Sequence, residues 1–126
     1  MEEQGFQGWT NRETWCANLW IENDQALSEI VADYALTALD EHKNDDPSDE
    51  EAGYSFALYC LEETLKSWIE EDLLTLENIK GNRDLWMMLT DIGSLYRVNY
   101  QELAGYYLDI VRENTALADL MGGEVV

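Results

Sequence analysis

Thr10-Asn11-Arg12-Glu13-Thr14-Trp15-Cys16-Ala17-Asn18-Leu19-Trp20-Ile21-Glu22-Asn23-Asp24 is the stretch that decides the fold class. Thr10 and Glu13 have the spacing of a capping box, in which each side chain satisfies a free backbone N–H beside the other. Trp15, Leu19 and Trp20 recur at helical spacing, which gathers the aromatics on one face. Asn23 and Asp24 break the pattern, and Asp24 has the short polar side chain that starts a new helix. Cap, stripe, corner and cap follow one another. That is helical grammar.

The same grammar extends outward. A second helix is expected from Asp24 to about Lys43, with Leu27, Ile30, Val31, Tyr34, Ala38 and Leu39 as its apolar stripe. Asn44 to Glu51 reads as a loop, an acid run holding the chain's one proline, and Pro47 suits the first turn of a following helix. The third helix is expected from about Asp49 to Asp72, with Tyr54, Leu58, Leu61, Leu65 and Trp68 aligned. Leu73 to Gly81 reads as a connector. Asn82 caps a fourth helix carrying Leu85, Met88, Leu89, Ile92 and Tyr96. Asn99 caps a fifth, with Glu102 at its third position and Leu103, Tyr107, Ile110 and Val111 facing inward. The expectation is an all-α single domain over residues 1–126, a bundle or orthogonal array of about five helices. Residues 8–114 would be its ordered part, with frayed ends. Trp15, Leu19, Leu58, Leu61, Trp68 and Leu89 are expected in the core.

Charge is the feature that folding explains least. Twenty-seven Asp and Glu face seven Lys and Arg, a formal net charge of -20 on 126 residues. A globule of this length has a radius of gyration of about 14 Å and is roughly 36 Å across. Its charge per unit length, on the order of one per 1.8 Å, is close to the roughly one per 1.7 Å of double-stranded DNA. Such self-repulsion opposes compaction. Nucleic acid and anionic membranes are excluded as direct partners, because phosphate binding needs clustered Lys and Arg and the seven here are scattered. The expected partner is basic. Two plainer readings compete, acidic solubility and adaptation to high salt; the five Trp and seven Tyr speak against the second.

The carboxylates that could form a phosphate-like face are Glu29, Asp33, Asp40 and Glu41 on the second helix and Glu62, Glu63, Glu70 and Glu71 on the third. Asp45, Asp46, Asp49, Glu50 and Glu51 of the loop join them. Glu29, Asp33 and Asp40 are about 6 and 10 Å apart along a helix rising 1.5 Å per residue. Like charges one turn apart cost roughly 0.2–0.5 kcal/mol per pair.

Catalytic chemistry has little support. His42, between Glu41 and Lys43, reads as a solvated surface residue, and neither Cys16 nor Cys60 has a histidine nearby in sequence. Both cysteines read as buried free thiols of a reducing cytoplasm. The serines lack a nucleophile elbow, and there is no phosphate-cradling glycine loop. Paired acids are too abundant to single out an acid–base couple. The Asp45–Glu51 run lacks the glycine and glutamate spacing of a calcium loop. No cofactor, metal or enzymatic activity is expected. No apolar run approaches the roughly 20 residues of a membrane span, and Met1-Glu2-Glu3-Gln4 does not resemble a signal peptide. A cytoplasmic location is expected.

Gly8-Trp9-Thr10-Asn11-Arg12-Glu13-Thr14-Trp15, then Leu19-Trp20-Ile21-Glu22-Asn23-Asp24, and finally Val98-Asn99-Tyr100-Gln101-Glu102-Leu103-Ala104 resemble the motifs of a small domain family of phages, plasmids and prokaryotic genomes. The likeness runs over roughly residues 8–112, and a longer tail follows here. That family has no assigned general activity, so the resemblance implies a mobile-element setting rather than a reaction. The motif itself reads as structural: Thr10 and Glu13 as cap, Trp9 as a staple over the first turn, and Trp15 and Leu19 as core. Asn11 and Arg12 are the residues that folding explains least; an acid on a later helix is a candidate partner for Arg12. Together with the charge, this setting leads to an expected function. The protein would inhibit a host defence nuclease complex, a CRISPR or restriction system, by occupying its basic cleft as a DNA mimic. The alternative is an adaptor that binds a basic protein without displacing nucleic acid.

Overall fold

In a computed structural model of the chain, residues 6–42 and 50–120 are described, and they form one all-α array. The helices are α1 (Arg12–Glu22), α2 (Gln25–His42), α3 (Glu50–Ser67), α4 (Leu76–Lys80), α5 (Arg83–Ile92) and α6 (Tyr100–Leu120). A π-helical segment, Trp68–Leu73, continues α3, and a 3₁₀ turn, Leu95–Arg97, precedes α6. α2 and α3 are antiparallel: His42 meets Cys60 at one end and Tyr34 stands edge-on to Trp68 at the other. α6 runs back along α3, with Gly105 passing Leu58 and Tyr54 reaching Asp109. Ile21, Val31, Leu61, Leu65, Met88, Leu103 and Leu108 are fully buried where these helices meet. No helix among the described residues is long and apolar enough to cross a membrane.

The expected capping box does not form. Asn11, not Thr10, caps α1, its extended backbone letting Oδ1 accept the Thr14 N–H at 2.9 Å. Thr10 and Glu13 have tertiary partners instead. The Thr10 N–H donates to the Glu102 carboxylate at 3.0 and 3.1 Å, and Glu13 pairs with Arg97 at 3.3 Å. Fully buried Thr14 links two helix starts: its Oγ1 donates to Asn11 Oδ1 at 2.7 Å and accepts the Asn99 N–H at 2.8 Å. Asn99 in turn caps α6 through the Glu102 N–H. The Asn11 amide donates to the Arg97 carbonyl at 2.8 Å. The Gly8–Trp15 and Val98–Ala104 motifs are therefore two halves of one clasp, which satisfies free N–H groups that both helix N-termini leave over.

A second junction fastens α1 to α5. Arg12, Cys16 and Trp20, one turn apart on α1, converge on Asp91. The Trp20 indole donates at 2.8 Å, the Cys16 thiol at 3.4 Å, and Arg12 pairs at 3.6 Å. Arg12 also donates to the Asp91 and Ile92 carbonyls, at the end of α5. The indole bond, with help from Cys16 and Arg12, holds the Asp91 carboxyl below its usual range against the opposing effect of burial. Burial first, then the bond to Asp91, pushes the Cys16 thiol up to about 11.

Several stripe assignments differ. Leu19 is 37% exposed, because the buried face of α1 is Thr14, Ala17, Asn18 and Ile21. Trp15, Leu58 and Leu89 are half-buried at the edge of the core, whereas Leu61 and Trp68 lie in it. Ile30 and Ile110 are exposed. Tyr96 is outside any α-helix and 94% exposed. α5 stops at Ile92 because Gly93 takes φ +87°, a left-handed conformation that glycine adopts at little cost. The third helix changes winding at Trp68, where the Leu74 N–H reaches the Ile69 carbonyl at 3.0 Å, five residues back. The wider turn buries the consecutive Trp68 and Ile69 together. The Leu73–Gly81 connector contains α4, capped by Thr75, so there are six α-helices among the described residues rather than about five. The Asn78 amide donates to the Asp72 and Leu73 carbonyls and closes the end of the π segment.

Candidate partner-binding face

Three of the four arginines pair with acids away from the α2–α3 hairpin. Arg12 serves Asp91, Arg97 serves Glu13, and Arg112 pairs with Asp109 at 3.5 Å while lying over the Tyr54 ring at 4.2 Å. α2 has four acids and no Lys or Arg in its sequence; α3 has four acids and Lys66; the π segment has three acids and no base. Within their own sequences α2 and α3 therefore set eight acids against Lys66.

Each acid's place can be stated. Glu29, Asp33, Asp40 and Glu41 are exposed on α2, with Gln25 donating to Glu29 at 3.0 Å. Glu51 is exposed on the first turn of α3, and Glu50 opens that helix. Asp45, Asp46 and Asp49 lie outside the described residues. The structure brings Glu62, Glu63 and Glu70 together: with Lys66, Leu95, Tyr96, Val98, Asn99 and Tyr100 they line a cleft of about 640 Å³. Glu63 also borders a shallower depression of about 310 Å³ with Tyr34, Thr64, Ser67, Trp68 and Asp72. Glu71 accepts from Ser67 at 3.2 Å and is exposed.

The cleft has a fixed floor. Buried Tyr100 donates its hydroxyl to Glu70 at 2.9 Å, and its own ionisation is pushed far up by burial and by that carboxylate. The phenol orients one oxygen of Glu70 and leaves the other available to a ligand. Lys66 is the only base on the cleft's lining, beside three carboxylates. What the arrangement can do chemically is hold cationic groups. Among the described residues, no three His, Cys, Asp or Glu side chains converge as a metal site.

Sequence reasoning missed Tyr96 and Tyr100 as neighbours of these acids. Gly93-Ser94 held the signal for Tyr96, since a glycine after an apolar stripe marks a helix end. It also misread His42. The ring is half-buried, tilted toward Phe56 and 3.1 Å from Cys60 Sγ, because the antiparallel return of α3 brings residue 60 to the end of α2. Cys60 is partly exposed and Cys16 is buried; both are free thiols.

A family model matches residues 2–86, from the N-terminus through α4 to the start of α5. The chain belongs to DUF7249, a family of unknown function. The family's span contains both acidic helices and the α1 half of the clasp, and it stops short of the Val98–Ala104 half. No curated protein and no solved structure matches the chain.

Proposed function

We propose that the protein is a polyanionic inhibitor that occupies the basic nucleic-acid-binding cleft of another protein, its carboxylates standing where phosphates would lie. The observation that carries this reading is the division of charge: Arg12, Arg97 and Arg112 pair with acids around α1, α5 and α6, while α2, α3 and the π segment present acids with Lys66 as their one Lys or Arg. Like-charged carboxylates one turn apart on these helices repel one another. A basic partner relieves that repulsion and gains fast, steered encounter. The cleft of Glu62, Glu63 and Glu70 would take a Lys or Arg side chain, with exposed Tyr96 at its edge offering a ring face. The resemblance of the Gly8–Trp15 motif to phage and plasmid proteins points to a host defence nuclease, of the CRISPR or restriction kind, as the target. No reaction is required of the inhibitor.

The test begins with capture of a partner from host lysate on the immobilised protein, eluted with rising salt. Binding of double-stranded DNA to that partner is then measured against increasing inhibitor. Mutual exclusion, weakening as salt rises, supports mimicry. A ternary complex of inhibitor, partner and DNA would instead identify an adaptor. Changing Glu29, Asp33, Asp40, Glu62 and Glu63 to their amides should weaken inhibition stepwise, because the potential is summed over many charges.

A further inference from the structure

The antiparallel pairing of α2 and α3 places His42 Nε2 3.1 Å from Cys60 Sγ, within hydrogen-bonding reach for a thiol donor. The two residues are eighteen positions apart and meet only in the folded hairpin. Neither contributes to the clasp, to the Asp91 junction or to the lining of the acidic cleft. Cys60 is partly exposed, unlike Cys16, and the Phe56 ring beside His42 supplies an apolar wall. An imidazole bonded to an accessible thiol is the arrangement that activates a cysteine nucleophile, because the base can take the proton as sulfur attacks. The other cysteine has the opposite setting. Cys16 is buried and its thiol donates to a carboxylate, and burial and that carboxylate both oppose its ionisation.

We propose that Cys60 is a thiol-modification site, assisted by His42, which forms a mixed disulfide with small neutral disulfides. Sγ of Cys60 attacks one sulfur of the reagent, a new S–S bond forms, and the reagent's own S–S bond breaks. One half of the reagent leaves as a thiolate, and the Cys60 proton passes to His42 Nε2. The reagent's disulfide is the oxidant, so electrons and protons balance. Neutrality matters because a protein of net charge -20 repels anionic reagents. This inference stands apart from the proposed inhibition and can fail or hold without it.

The experiment follows reaction of the full chain with dipyridyl disulfide at pH 6 by release of thiopyridone, with peptide mass spectrometry to locate the label. One fast thiol, located at Cys60, is expected, with Cys16 reacting only slowly. Cys60→Ser should abolish the fast phase. His42→Gln should slow it about fivefold, because no imidazole is then beside the sulfur to take its proton. A second measurement does not depend on the variant's folding: Cys60 of the native chain should react faster than the same residue in urea. Labelling that falls first on Cys16, an unchanged rate in folded His42→Gln, or a faster reaction in urea would each overturn the proposal.

Discussion

Two regions of this molecule use the same side chain for different ends. Around α1, α5 and α6, each of four carboxylates meets a donor: Asp91 takes an indole, a thiol and a guanidinium, Glu102 takes the Thr10 N–H, Glu13 takes Arg97, and Asp109 takes Tyr54 and Arg112. On the α2–α3 hairpin the acids stand on exposed faces with Lys66 among them. An acid surrounded by donors fixes geometry, whereas an acid among acids sets a potential. The difference separates acids that hold helices together from acids exposed on the surface of α2 and α3.

The largest expected effect lies beneath both regions. Leu61 is buried under α2 and α6, and Leu61→Ala should lose about 2–5 kcal/mol in urea unfolding. A loss under about 1 kcal/mol would show that the hairpin is not packed on the common core.

The clasp is next. Thr14→Val keeps the shape and removes the hydroxyl, leaving the Asn99 N–H without its acceptor. A loss of about 1–3 kcal/mol is expected, and Thr14→Ser, which keeps the hydroxyl, should lose much less. Equal losses in the two variants would mean that packing, not the hydrogen bonds, joins the motifs.

A slope with pH comes third. The Cys16 thiol ionises near 9 when unfolded and near 11 when folded. Between those values the unfolded chain binds fewer protons, so stability is full below pH 9 and falls as pH approaches 11. Tyr54, pushed from 10 up to about 12 by burial and by its bond to Asp109, extends the fall. Urea midpoints from pH 8 to 11 should show the decline, and Cys16→Ala should flatten its first part.

The smallest effect would sharpen the contrast most. Asp33→Asn on α2 removes a repulsion with Glu29 one turn away, and should stabilise by about 0.2–0.5 kcal/mol at low salt and less at high salt. Glu102→Gln, within the clasp, should destabilise. If both changes have the same sign, the division between the two regions is wrong.

How much was legible in the chain depends on how local each signal was. Asp24, Asn82 and Asn99 were readable as caps because each bonds an N–H three residues along. The Arg12 pairing with an acid of a later helix was also anticipated, since a conspicuous cation on an amphipathic helix needs a partner. Thr10 and Glu13 misled because a capping box is defined by spacing alone, while Glu102 and Arg97 compete for its members from far along the chain. Of the candidate site, composition and helical spacing were enough to place Glu29, Asp33, Asp40, Glu41, Glu62, Glu63 and Glu71 on exposed helix faces or close to them.

The sequence by itself determined the helical class, the main caps and the excess of acid, since these rest on contacts within one or two turns and on formal charge. Tertiary structure decided the rest. Which arginine neutralises which acid, how Glu62, Glu63 and Glu70 share a cleft with Tyr96, and why His42 meets Cys60 all depend on how antiparallel helices come into register. Register is set by the packing of buried side chains from different helices. No local window of the chain contains that information.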